Sequence, residues 1–194
     1  EKFADKVRVV VNPVRDSLRK GDREKGSALK KLNPSKPIVL SLGGSLGARA
    51  LNEAWEAGVS NLLREDIQIV WQCGKRYHEE LKRRVQQHPG LVLMPFIEDM
   101  ATAYAMADLV VTRAGASTIS ELIMLNTPAV LLPSPNVAED HQTKNAQSLA
   151  DKNAAVMVTD AEAKETLVPT VIDLLKDEAK YKTLKQGIKN IPKR

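Results

Sequence analysis

From residue 38 onward, short runs that are apolar at nearly every position alternate with longer segments whose apolar residues recur at helical spacing. The runs are Ile38–Leu42, Ile67–Gln72, Leu91–Pro95, Leu109–Thr112, Ala129–Leu132 and Ala155–Val158. A strand with one wet face alternates apolar and polar residues, whereas a strand covered on both faces does not. The segments between are Ala48–Leu63, Tyr77–Gln87, Asp99–Ala107, Ser117–Leu125 and Asp140–Lys152. In the first of them Leu51, Ala54, Trp55, Val59 and Leu62 form one stripe. Strand, helix and strand repeated in this way join parallel strands through right-handed crossovers. The pattern predicts an α/β domain, a Rossmann-like doubly wound parallel sheet of six strands.

Residues 1–37 read as an interdomain connection with a leading strand at Val7–Val11, and 38–194 as the domain itself. Residues 19–37, rich in Lys, Arg, Gly and Pro, predict a surface connection with a short helix. The stretch Ala161–Ile188 is helical in pattern. The abrupt start and finish are those expected of one lobe cut from a larger protein.

Composition removes several classes of function. No apolar run is long enough to span a bilayer, and the first residues hold no signal-peptide core. Cys73 is the single cysteine, so an internal disulfide is impossible, and its apolar surroundings predict a buried structural thiol in a reducing, cytoplasmic setting. The net charge of +5 resides in Lys176–Arg194, with seven basic and two acidic residues, so the rest of the chain is neutral. Such a tail is a solvated face or a contact for an anionic membrane surface. With aromatic residues at 4%, stacking platforms for bases are scarce, and the composition argues against nucleic acid as a partner. Three histidines and one cysteine without ligand spacing, and no Asp-x-Asp, predict no metal and no cofactor.

Ligands of parallel sheets bind beyond the carboxyl ends of the strands. There the sequence places Gly43-Gly44-Ser45-Leu46-Gly47, then Phe96-Ile97-Glu98-Asp99, then Arg113-Ala114-Gly115-Ala116-Ser117-Thr118, and lastly Pro133-Ser134-Pro135-Asn136 leading to Asp140-His141-Gln142. The glycine loop matches neither common nucleotide fingerprint, and taken alone is equally a tight turn or a phosphate loop of Gly43, Gly44 and Gly47. Ala116, Ser117 and Thr118 open a helix whose free amides and positive dipole end suit a diphosphate. Glu121, one turn further in, can accept hydrogen bonds from a ribose diol, or be an ordinary surface glutamate beside a serine cap. His141 and Gln142 suit sugar hydroxyls.

These rim segments, in this order and preceded by Asn12-Pro13-Val14-Arg15, resemble the C-terminal domain of the MurG family. The likeness runs to His141-Gln142-Thr143-Lys144-Asn145-Ala146 and covers most of the chain. It implies one lobe of a GT-B glycosyltransferase, inverting and metal-independent, moving N-acetylglucosamine from UDP-GlcNAc to the lipid-linked muramoyl-pentapeptide of peptidoglycan synthesis. It also implies a cytoplasmic enzyme peripheral to the inner face of the cell membrane. By position, the Ile97 backbone would hold the uracil edge and Glu121 the ribose. Arg15, Ser45, Ala116, Ser117 and Thr118 would hold the diphosphate, with His141 and Gln142 near the sugar. His141 and Leu46 stand where many relatives carry glutamine. The acceptor lobe, with its Gly-Gly-Thr-Gly-Gly-His segment, has no counterpart here, so lipid I would be bound through that missing lobe and the fragment alone would be inactive.

Three other readings share features with this one. A UDP-GlcNAc 2-epimerase would use the same lobe without a lipid acceptor. A naturally separate lobe would need a membrane-bound partner subunit. A basic α/β module would bind lipid or RNA through Lys176–Arg194. In the transferase reading a change at Glu121 weakens UDP and UDP-GlcNAc alike, while a change at Gln142 spares UDP.

Overall fold

The computed structural model describes residues 16–44, 46–135 and 140–193. The strand expected at Val7–Val11, together with Arg15, Ser45 and Asn136, lies outside the described residues.

Six strands form one sheet: β1 (Ile38–Leu42), β2 (Gln68–Gln72), β3 (Leu91–Met94), β4 (Leu109–Thr112), β5 (Ala129–Leu131) and β6 (Val156–Met157). Their spatial order is β3-β2-β1-β4-β5-β6, and every neighbouring pair is parallel. Leu42 stands opposite both Gln72 and Thr112, so the carboxyl ends of the three central strands share one edge.

The all-apolar runs are explained by burial on both faces. Val39 of β1 faces a cluster containing Leu51, Trp55 and Leu62, while Ile38, Leu40 and Leu42 face another containing Tyr104, Met106 and Leu122. The first cluster is roofed by α2 (Arg49–Arg64), α3 (Lys75–Arg84) and α7 (Asp160–Lys176). The second is roofed by α4 (Met100–Met106), α5 (Ala116–Leu125) and α6 (His141–Ala150). The crossovers therefore change face between β1 and β4, which makes their loops the topological switch point where such sheets take ligands.

Two regions differ from expectation. The connection over 19–37 contains the short helix, α1 (Arg23–Leu29), but it is packed rather than laid on the surface. Ser27 is fully buried and Leu32 nearly so. Arg23 donates to the Met106 carbonyl at 2.6 Å and to Asp108 Oδ2 at 3.0 Å, which ties α1 to the end of α4. The helical stretch Ala161–Ile188 is broken at Asp177, whose carboxylate accepts from Lys180 N at 3.1 Å and starts α8 (Glu178–Lys189). The tail is a solvated face only in part, because Leu184 and Ile188 of α8 are buried. No helix among the described residues is long and apolar enough to cross a membrane.

Candidate functional site

The loop after β1 is shaped by its neighbour after β2. Gly47 has φ +80°, and a Cβ there would lie 2.3 Å from the Cys73 carbonyl oxygen. Gly74 has φ +90°, and its Cβ would meet Gly47 N at 2.4 Å. The two backbones touch, which no residue with a side chain permits. Below them Asn52 Nδ2 donates to the Cys73 carbonyl at 2.9 Å, and Trp71 Nε1 donates to Asn52 Oδ1 at 2.9 Å. Cys73 is fully buried, and that burial raises its thiol pKa to about 11. Gly44 differs from Gly47: its φ is +76°, but a Cβ would have nothing within 4 Å. Ser45, expected on the diphosphate, lies outside the described residues.

The loop after β4 is built the opposite way. Gly115 is the N-cap of α5, with φ −66° and ψ 148°, angles that any residue adopts. A Cβ at Gly115 would have nothing within 4 Å, so the space beside this helix end is not filled by the described residues. No side chain among the described residues caps α5. Ser120 Oγ donates to the Ala116 carbonyl at 3.0 Å, and Ala116 and Ser117 are exposed. The amides of Ala116, Ser117 and Thr118 thus precede the first intrahelical bond, Ile119 N to the Gly115 carbonyl at 3.0 Å. Three such donors at a helix N-terminus, backed by its dipole, form a corner suited to an anion.

What holds that corner still comes from α6. Gln142 Oε1 accepts from Ala114 N at 3.2 Å and from Ser134 N at 2.9 Å, joining the loops after β4 and β5. Asn145 Nδ2, on the same side of α6, donates to the Ala114 carbonyl at 3.1 Å. The Ala114 peptide is therefore gripped at both its N–H and C=O. Arg113 donates to the Leu132 carbonyl at 3.2 Å and forms a paired ion bridge with Asp160 at the start of α7. With Gln142 Oε1 occupied, its Nε2 is the part that can address a ligand. A change there would also release the anion corner, so the expectation that it spares UDP does not follow from this geometry.

Glu121 sits on α5 as its spacing from Ser117 predicts, partly exposed, with Oε2 accepting from Tyr104 Oη at 2.6 Å. It is not an ordinary solvated glutamate. Ile97 buries its side chain, at 6% exposure, while its backbone N–H and C=O make no hydrogen bond among the described residues. Asp99 caps α4, accepting from Thr102 N at 3.1 Å and Thr102 Oγ1 at 2.5 Å; these hydrogen bonds hold its carboxyl below the usual range. His141, exposed, opens α6.

The expected residues thus fall into two groups meeting at Ala114-Gly115. A cleft of about 490 Å³ takes in Gly43, Gly47, Gln142, Arg113, Ser134 and Asp160. Ile97, Ala116–Thr118 and Glu121 lie outside it, on the open shelf of α4 and α5. The shelf presents helix amides without a described partner and a carboxylate, an arrangement suited to an anionic group beside a hydroxyl-bearing one. Tyr104, Asn145 and Asp160 were missed in the sequence: a tyrosine in a short apolar helix carries the same pattern as a core residue, and the other two lack any local signal. Among the described residues no cluster of His, Cys, Asp or Glu could hold a metal ion.

Residues 38–193 match the glycosyltransferase family 28 C-terminal domain. A Bacteroides thetaiotaomicron protein is 47% identical over 196 residues, covering 97% of this chain and 53% of the relative. It is named as a UDP-N-acetylglucosamine–N-acetylmuramyl-(pentapeptide) pyrophosphoryl-undecaprenol N-acetylglucosamine transferase. The crystal structure of Acinetobacter baumannii MurG aligns with a TM-score of 0.71 at 32% identity, covering 90% of this chain and 50% of that one. A co-structure of S. aureus MnaA with UDP aligns with a TM-score of 0.63 at 12% identity, covering 89% of this chain and 45% of that one, a likeness of fold alone. The chain spans about half the length of these relatives.

Proposed function

The chain belongs to glycosyltransferase family 28, and we propose that it is the donor-binding lobe of a GT-B enzyme that moves N-acetylglucosamine from UDP-GlcNAc to a lipid-linked muramoyl-pentapeptide. The observation that carries this reading is the uncapped N-terminus of α5 beside the unfilled space at Gly115, with Glu121 one turn along. In this reading the amides of Ala116, Ser117 and Thr118 receive the diphosphate, joined by Arg15 and Ser45. The free backbone of Ile97 meets the uracil edge and Glu121 the ribose diol. Gln142 Nε2 and His141 face the sugar.

The reaction is inverting: an acceptor hydroxyl attacks the anomeric carbon as its bond to the β-phosphate oxygen breaks. Negative charge grows on the departing diphosphate, and the α5 amides, already aligned, gain most when it has grown fully. They take the charge-neutralising part that a divalent cation plays elsewhere, so donor binding is proposed to be metal-independent. The acceptor and its base belong to the other lobe, so this chain alone is proposed to bind donor without transferring sugar. The enzyme would work on the cytoplasmic face of the membrane.

Calorimetry tests the reading. UDP-GlcNAc and UDP are expected to bind, unaffected by chelator. Glu121→Ala is expected to weaken both by roughly 1.5–3 kcal/mol, the worth of a charged hydrogen-bond partner. Unchanged binding in Glu121→Ala, or turnover by the isolated chain with lipid acceptor, overturns it. Incubating the intact enzyme with UDP-GlcNAc and no acceptor separates it from an epimerase, which would alter the sugar.

A further inference from the structure

Resting on the reading of Glu121 as the ribose carboxylate, we propose that Tyr104 is the positioning residue that aims it. Through Tyr104, α4 couples recognition of the base to recognition of the ribose diol. The Tyr104 hydroxyl donates to Glu121 Oε2 at 2.6 Å, and Tyr104 is only 4% exposed. A partly exposed glutamate samples several rotamers, and ordering it on binding costs affinity. A bond to an immobile phenol sets the plane of the carboxylate in advance and leaves Oε1, to which no described residue donates, as the acceptor for a ligand.

The sense of the bond is fixed as well. Burial, and after it the hydrogen bond and charge of Glu121, push the Tyr104 phenol up out of the usual tyrosine range. The proton stays on the tyrosine, and Glu121 is left as a pure acceptor, the form a diol requires.

Tyr104 is itself held by the element that follows the proposed base-contacting loop. Ile97 lies three residues before α4, and Asp99 between them anchors the helix start through Thr102. A shift at the base edge would be transmitted along one turn of helix to the carboxylate. A buried phenol needs some partner in any fold, so the bond could serve Tyr104 alone; the discriminating quantity is preference for ribose, which mere stability would not move.

The experiment measures binding of UDP and 2′-deoxy-UDP to this chain, to Tyr104→Phe, to Glu121→Ala and to the double variant, with thermal unfolding of each. The wild type is expected to favour UDP about tenfold, and Tyr104→Phe to weaken UDP about fivefold while cutting that preference to about twofold. In the double variant UDP affinity should match Glu121→Ala, the non-additivity of two groups acting as one. A full ribose preference in Tyr104→Phe, with Glu121→Ala having lost it, overturns the role of Tyr104. Unaltered UDP binding in Glu121→Ala overturns the underlying reading instead. Should Tyr104→Phe unfold, Glu121→Asp withdraws the carboxylate from the phenol while keeping its charge; an unchanged preference there also overturns the proposal.

Discussion

The loops after β1 and β4 lie side by side at the switch point, both carry glycine, and they use it for opposite ends. At Gly47 the glycine serves the protein: a positive φ and a backbone from the next loop leave no room for a side chain. At Gly115 the backbone is ordinary and the space is open, so the fold itself does not ask for glycine. A glycine that the fold does not need, beside helix amides that no described side chain caps, is the pattern expected where room is kept for a ligand. Glycine content alone does not separate the two cases.

The sharpest way to break this contrast is to add one methyl group to each loop. Gly47→Ala is expected to cost about 3 kcal/mol or more in stability, combining left-handed strain with backbone overlap, and is read by denaturant unfolding. Gln142→Ala comes next. It deprives Ala114 N and Ser134 N of their shared acceptor, lowers stability by about 1–3 kcal/mol, and weakens UDP and UDP-GlcNAc together. Loss of UDP-GlcNAc binding with UDP untouched would mean that Gln142 acts on the sugar without holding the corner. Gly115→Ala should leave stability within about 0.5 kcal/mol of wild type but reduce UDP affinity about tenfold. Equal stability losses at 47 and 115 would erase the distinction.

The smallest effect concerns pH. Cys73 lies under the first loop with its pKa raised to about 11 from an ordinary 9.0. Between those values the unfolded chain loses its thiol proton while the folded chain keeps it, so folded stability falls as pH rises through that window. The denaturant midpoint should fall less steeply over this range in Cys73→Ala, after allowing for the variant's own packing loss.

Much of the fold was legible because burial on both faces leaves a simple mark. The six apolar runs became the six strands, with shifts of at most one residue at any end. The break at Asp177 was not, since Asp is as compatible with a helix surface as with a cap until a following amide turns toward it. The packed α1 was hidden because its anchors, Arg23 and Ser27, are polar and read as surface; their partners lie about eighty residues away or within the helix itself. At the site, Glu121 and the Ala116–Thr118 helix start followed from spacing along one helix. Tyr104 and Asn145 could not, because their meaning comes from another element.

What the sequence by itself determined was the alternation of buried strand and amphipathic helix, and with it the α/β class and the rim on which ligands bind. Local periodicity records burial, and burial dictates these. Strand order was decided only in three dimensions: β4, not β2 alone, flanks β1, and that adjacency creates the switch point. The pairing of Tyr104 with Glu121 and the grip of Gln142 and Asn145 on Ala114 were decided there too. Hydrogen bonds between distant segments depend on which helices the sheet brings together, and no spacing along the chain encodes that.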